Sequence, residues 1–289
     1  MAAEFAEDGR RGVGRERNAA LGVEAVERLD QAEARDLNEV LERFRRADAD
    51  VTFAVPPSVP WSLPLYELAL MLRRRAEGRG HRELAIRLHT PEESPLAIFG
   101  VAASETVAEL LRARRIQVVT SSLLPAGEPS APVIGPGPIL ALPLIEGPRV
   151  PGLPADAAGF LPIDAHCRIR GAEGVYAAGD GTSFPVKQGG IATQQADAAA
   201  EHIAASLGAP IEARPFTPVL RGMLLTGSES LYMRHRVGGG GGEGQVSPDR
   251  LWWPPDKISG RYLSAALAGG SERREHDKPA VEPLEVEVS

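Results

Sequence analysis

The sequence predicts an α/β chain built on a doubly wound parallel sheet, and three observations carry that expectation. Short runs of β-branched and apolar residues at 51–55 (VTFAV), 84–88 (LAIRL) and 116–119 (IQVV) read as strands. Stretches with helical spacing of apolar residues separate them, and strand, helix, strand at such short intervals implies right-handed parallel crossovers. Further on, a small-residue turn at 179–181 (GDG) follows a strand-like run and precedes an Ala-rich helix. That puts an acid at a strand's carboxyl end, where open α/β sheets bind their ligands.

In chain order, residues 1–35 are polar, charged and broken by glycine, and read as a disordered or partly helical leader with a helix across 20–29. Residues 36–46 place Leu37, Val40, Leu41 and Phe44 on one helical face. The strand at 51–55 is ended by Pro56 and Pro57. An apolar helix over 65–75 finishes in arginines suited to its carboxyl end. The strand at 84–88 leads through a Pro-bounded loop to a helix over 103–114, with Val107, Leu110 and Leu111 inward, and then to the strand at 116–119. Residues 124–138 are rich in Pro and Gly and read as a linker before a strand at 139–142.

A hairpin is expected at 159–169 and a buried strand at 175–177. The Ala-rich helix over 191–207 is stopped by Gly208, with Pro210 beyond it. A further strand falls within 214–226, a flexible glycine tip at 238–242, and an aromatic knuckle at Trp252 and Trp253 before a short helix over 257–267. From residue 269 onward the charged composition predicts a disordered tail. The domains expected are therefore 36–142, 143–230 and an interface segment at 231–268, flanked by the leader 1–35 and the tail 269–289.

At 289 residues the chain has room for two ordinary domains. Its formal net charge is -7, without a basic run interleaved with aromatics, which argues against nucleic-acid binding. Cys167 is the single cysteine, so neither an internal disulfide nor a cysteine-based metal site can form, and a cytoplasmic setting is the expectation. No window approaches the roughly 20 apolar residues of a membrane span, so membrane contact would be peripheral, at the inner face. The histidines at 81, 89, 166, 202, 235 and 276 are dispersed, and no metal site is expected. Lysine is scarce, with only Lys187, Lys257 and Lys278, which draws attention to each.

The segment GVYAAGDGTSFPVKQGG reads as half of a flavin site. Gly179 and Gly181 let the backbone approach a sugar or phosphate, and Asp180 can accept hydrogen bonds from ribityl or ribose hydroxyls. Lys187 and Gln188 stand just ahead of Gly189 and Gly190, whose backbone amides and helix dipole favour negative charge. Extended to GVYAAGDGTSFPVKQGGIATQQADAAAEHIA, the motif resembles the second flavin-contacting motif of the FAD-dependent pyridine nucleotide-disulfide oxidoreductase superfamily, in its sulfide:quinone oxidoreductase and type II NADH dehydrogenase branch. The block at 51–100 resembles that superfamily's second dinucleotide domain, and LWWPPDKISGRYL resembles the closing segment of a bacterial subgroup.

The resemblance implies a Rossmann-like second dinucleotide domain plus the carboxyl-terminal half of an FAD-binding domain. It implies that Asp180 holds the ribityl chain and that the next helix points at the flavin pyrimidine. Lys187 would add charge where reduced flavin becomes anionic, which makes it the candidate catalytic residue, and Phe99 would stand beside the ring. A quinone or another electron carrier is the implied partner, with a homodimer as the expected assembly. Trp252 and Trp253 form an apolar edge that would rest at a lipid interface and admit a quinone, or pack against the FAD domain or a second subunit.

Three departures accompany the match. The glycines at 9, 12 and 14 lie among arginines with no apolar strand ahead, so they fail the context of a phosphate fingerprint, and the chain reads as a truncated flavoprotein. Pro56, Pro57 and Trp61 replace the phosphate-binding glycines of the second dinucleotide domain, so a nicotinamide cofactor is not expected there. A single cysteine cannot supply the redox pair that sulfide oxidation needs in this family. The competing reading is a folded, non-catalytic remnant that acts as a binding partner.

Overall fold

A computed structural model describes residues 26–28, 50–122, 139–237, 244–253, 258 and 260–262, the first three by their backbone. The amphipathic helix expected at 36–46, the linker at 124–138, the glycine tip at 238–242 and the tail from 269 lie outside the described residues. The chain divides into two compact units. The first comprises Met1–Ala97, Ser104–Ile145 and Leu225–Ser228, and the second comprises Ile98–Ala103, Glu146–Leu224 and Glu229–Ser289.

The first unit holds a five-stranded sheet. Its strands are β1 (Val26–Arg28), β2 (Val51–Ala54), β3 (Ile86–His89), β4 (Ile116–Val119) and β5 (Ile139–Ala141), in the spatial order β1-β5-β2-β3-β4. Every neighbouring pair is parallel. All four residues of β2, Thr52 among them, are buried, as in a strand covered on both faces. Helix α1 (Leu63–Gly78) follows β2, and α2 (Val101–Ala113) follows β3. Pro64 sits in the first turn of α1, where its missing amide hydrogen breaks no intrahelical bond. The strand order reverses between β2 and β5, so the crevice at their carboxyl ends is the topological switch point of a doubly wound sheet.

Across Val26–Arg28 the chain is a strand, where a helix had been expected over 20–29. Three residues have little propensity of their own, and the ladder with Ile139, Leu140 and Ala141 of β5 decides their conformation. Arg73 of α1 is 2% exposed, and its guanidinium donates to the carbonyls of Leu84 at 2.6 Å and Arg115 at 3.2 Å. One side chain thereby ties the helix to the residues that lead into β3 and β4. Burial lowers its pKa from the usual arginine value.

The second unit contains helix α3 (Gly189–Ser206) and a three-stranded antiparallel sheet of β6 (Val219–Leu224), β7 (Leu231–Arg236) and β8 (Gln245–Ser247). Leu220, Leu224 and Met233 face its core. The strand within 214–226 was legible as such, whereas β7 and β8 were not expected. The hairpin at 159–169 is present as a bridge between Ile163 and Ile169. The strand expected at 175–177 is reduced to a single bridge from Tyr176 to Arg168, and its residues are half-buried. Gly174 at φ 70° and Gly179 at φ 87° bend the backbone at both ends and leave too short a run for a ladder.

Candidate functional site

The turn after Ala178 is fixed by one fully buried side chain. Gln195, on the second turn of α3, accepts the Gly179 amide hydrogen on Oε1 at 2.7 Å and donates from Nε2 to Thr182 Oγ1 at 3.3 Å. Thr182 in turn donates to the Gly179 carbonyl at 2.9 Å. This closed set of hydrogen bonds presents Asp180 outward. Asp180 is exposed and accepts no hydrogen bond among the described residues, so its carboxylate is available to an incoming hydroxyl. The neighbouring Gly181 is half-buried.

Lys187 is buried beneath this turn. Its Nζ donates to the Thr182 carbonyl and lies 3.9 Å from the centroid of the Phe160 ring. Burial lowers its pKa, and the charges of Asp180 and Asp156 oppose that shift. The lysine therefore supports the turn from inside and places a cation close to Asp180.

Gln188 caps α3. Its Oε1 accepts the Ile191 amide at 3.2 Å, and its Nε2 donates to the Arg221 carbonyl at 2.7 Å. Gln194 brackets Val219, donating to its carbonyl at 2.9 Å and accepting from its amide at 2.9 Å. These two glutamines close the outer edge of β6. A Cβ on Gly190 would stand 3.1 Å from Gln188 Oε1, so the residue must be small for the cap to form. The amides of Gly189 and Gly190 open the helix and have no carbonyl four residues back within it. Gln194 and Gln195 thus serve the scaffold.

Ile258, Gly260, Arg261 and Tyr262 lie along one face of α3. A Cβ on Gly189 would stand 3.0 Å from Ile258 Cγ1, and one on Gly260 only 2.7 Å from Thr193 Cβ. Asp197 Oδ2 accepts the Arg261 amide at 2.6 Å. Glu201 accepts from the Arg261 guanidinium and from the Tyr262 hydroxyl at 2.8 Å. Residues 189, 193, 197 and 201 recur at four-residue intervals and share one helix face. Gly189 accordingly has a packing role as well as its place at the helix start.

Cys167 is fully buried with Ala198, Ala199 and Tyr176, as a small apolar side chain, and burial reinforced by Asp164 pushes its thiol up to about 11. Phe99 is a core residue at 0% exposure. Trp252 meets the Tyr232 ring edge-on at 5.2 Å between centroids, while Trp253 is 48% exposed. In the first unit, the residues after β2 are Pro56, Pro57 and a left-handed Ser58. Ser62 caps α1 without a side-chain bond to its amides. Its hydroxyl instead joins those of Tyr66 and Thr90 in donating to the Glu92 carboxylate, at 3.1, 2.6 and 2.8 Å.

The flavin and ribityl end of FAD fits the residues present. An unpartnered acid, a backbone opened by Gly179 and the amino end of an 18-residue helix meet the needs of a polyol and of an edge that gains negative charge. Sequence reasoning named Asp180, Gly179, Gly181, Gln188, Gly189, Gly190 and Lys187. It missed the parts played by Thr182, Phe160 and Glu201.

No protein-family model matches the chain, and no curated protein matches its sequence. Among solved structures it is similar to the sulfide:quinone oxidoreductase of the hyperthermophilic bacterium Aquifex aeolicus, with a TM-score of 0.61 and 15% identity over 78% of this chain and 60% of that one. It is less similar to reduced Bacillus anthracis CoADR-RHD, with a TM-score of 0.49 and 10% identity over 75% of this chain and 39% of that one. For an FAD-dependent pyridine nucleotide-disulphide oxidoreductase from Desulfovibrio vulgaris the TM-score is 0.45, with 16% identity over 78% and 58%. The chain spans less than two thirds of each of these proteins. The first similarity establishes the fold, an α/β architecture shared with a sulfide:quinone oxidoreductase. No described helix is long and apolar enough to cross a membrane.

Proposed function

We propose that the protein is an FAD-dependent oxidoreductase of the quinone-reductase-like class, with its flavin held at the Gly179–Asp180 turn and the amino end of α3. The observation that carries this reading is the Gln195-anchored turn, which holds an exposed, unpartnered Asp180 beside the first turns of that helix. Asp180 accepts from the ribityl hydroxyls. The Gly189 and Gly190 amides and the α3 dipole stabilise negative charge at the flavin's pyrimidine edge. Lys187 adds a buried cation near Asp180 and keeps the turn in place. Bound flavin would supply the electron chemistry.

A quinone or another small electron carrier is the proposed acceptor, with peripheral membrane contact through the exposed Trp253 edge and a homodimer as the assembly.

The test is a titration of the purified full chain with FAD, followed by quenching of flavin fluorescence. Saturable binding, weakened roughly tenfold by Asp180→Ala through loss of a charge-assisted hydrogen bond, supports the reading. No binding would favour a non-catalytic body that acts as a binding partner. Unchanged affinity in the variant would remove Asp180 from the site.

A further inference from the structure

Positive charge is concentrated at the amino edge of the five-stranded sheet, opposite the crevice at its carboxyl ends. Helix α1 runs from the carboxyl end of β2 back to the amino end of β3, and α2 does the same between β3 and β4, which are neighbours in the sheet. Both helix ends and the turns after them are rich in arginine. Residues 73–83 and 112–115 hold eight arginines against only Glu77 and Glu83, in a chain whose net charge is -7.

Helix electrostatics account for part of this. Arg75 and Arg112 lie in the last turns of their helices and complement the dipoles there. Arg73 is the buried tie, and its bonds to the carbonyls of Arg82, Leu84 and Arg115, at 3.4, 2.6 and 3.2 Å, gather the two turns into one patch. Beyond its burial, the charges acting on Arg73 are those of Glu77, Arg115 and Glu83, so all three surround it. Neither role explains the exposed arginines around that tie. Arg74, Arg82, Arg112 and Arg115 are exposed, and their side chains make no ion pair or hydrogen bond among the described residues. Like charges this close repel within a Debye length of about 8 Å, and an anionic surface laid against them turns the repulsion into attraction.

The placement of the arginines selects among anionic surfaces. They stand at helix ends and in turns, so no basic helix is offered to a nucleic-acid groove. No phenylalanine, tyrosine or tryptophan falls within 73–83 or 112–115 on which a base could stack. A plane of lipid phosphates needs neither, and it touches this edge while the chain's excess of acids elsewhere stays screened by solvent.

We propose that the amino edge of the first unit docks on an anionic lipid surface through Arg74, Arg82, Arg112 and Arg115. The contact belongs to the first unit alone, and it stands whether or not flavin binds at the Asp180 turn.

The full chain is sedimented with vesicles of phosphatidylcholine alone and with vesicles of an equimolar mixture of phosphatidylcholine and phosphatidylglycerol. Binding to the mixed vesicles at low salt is expected, with release at high salt and none to phosphatidylcholine. In the double variants Arg74→Gln/Arg82→Gln and Arg112→Gln/Arg115→Gln, each arginine removed lowers partitioning roughly fivefold. Both pairs replace exposed side chains, so melting temperatures stay near that of the wild type, and either pair serves if the other does not fold. Trp253→Ala keeps the dependence on phosphatidylglycerol, which separates this contact from an apolar one at the tryptophan edge. Equal partitioning onto the two kinds of vesicle would overturn the proposal. So would unchanged partitioning in both double variants. An oligonucleotide that displaces the vesicles and binds the wild type more tightly than the variants would overturn it too, by making the edge a nucleic-acid surface.

Discussion

Gln195 Oε1 receives the Gly179 amide hydrogen at 2.7 Å, although sixteen residues separate them and the glutamine is fully buried. The exposed acid next to that glycine is thus aimed by a side chain that no ligand reaches. Gln195→Ala leaves the Gly179 amide without its acceptor and takes one of two hydrogen bonds from the Thr182 hydroxyl, which costs about 1–3 kcal/mol. Urea denaturation should show the lower midpoint with an unchanged slope. Flavin affinity should fall as well, although Asp180 itself is intact.

Glu201 holds Arg261 and Tyr262 against α3 in a pH-dependent way. Burial alone would raise its carboxyl pKa, but hydrogen bonds from Tyr262 and the Arg214 amide, together with the Arg261 charge, hold it below the usual range. A folded pKa below the unfolded one means that the carboxylate's contribution is complete above the unfolded value, about 4.3. It is lost as the pH falls through the folded value. Melting temperatures should therefore decline below about pH 4.3 more steeply in the wild type than in Glu201→Gln, whose side chain does not titrate.

Nicotinamide nucleotides should not bind the first unit. Pro56 and Pro57 supply no amide hydrogens at the switch point, and Pro64 occupies the first turn of α1. The hydroxyls of Ser62, Tyr66 and Thr90 already engage Glu92, the acid that follows β3. Titration with NADH should give no enhancement of nicotinamide fluorescence. Bleaching of a flavin-loaded sample by NADH would contradict this.

Cys167 should be inert in the native protein. Its burial and a thiol pKa of about 11 leave almost no thiolate at neutral pH. A thiol-specific disulfide reagent should label it only after unfolding. Rapid labelling of the folded chain would show that the pocket formed with Ala198, Ala199 and Tyr176 opens readily.

The core of the first unit was readable because β2 and β4 announce themselves as apolar, β-branched runs and the helices between them carry one apolar face each. β7 escaped notice because Arg234, His235 and Arg236 obscure an alternation in which Met233 is the buried position. β1 was hidden for a different reason, since its conformation comes from pairing with β5, a contact that local sequence does not encode. At the site, the turn that carries Asp180 is bonded to α3 through Gly179 and Gln195. The motif did not reveal that Lys187 lies under the turn or that Gln188 and Gln195 spend their amide groups on the scaffold. Those roles depend on side chains brought together from distant positions, such as Phe160 with Lys187.

The glutamine seal on β6 gives the antiparallel sheet a polarity. With both backbone groups of Val219 held by Gln194 and the Arg221 carbonyl held by Gln188, a strand approaching that side of the sheet meets an edge whose first hydrogen-bonding groups are already taken.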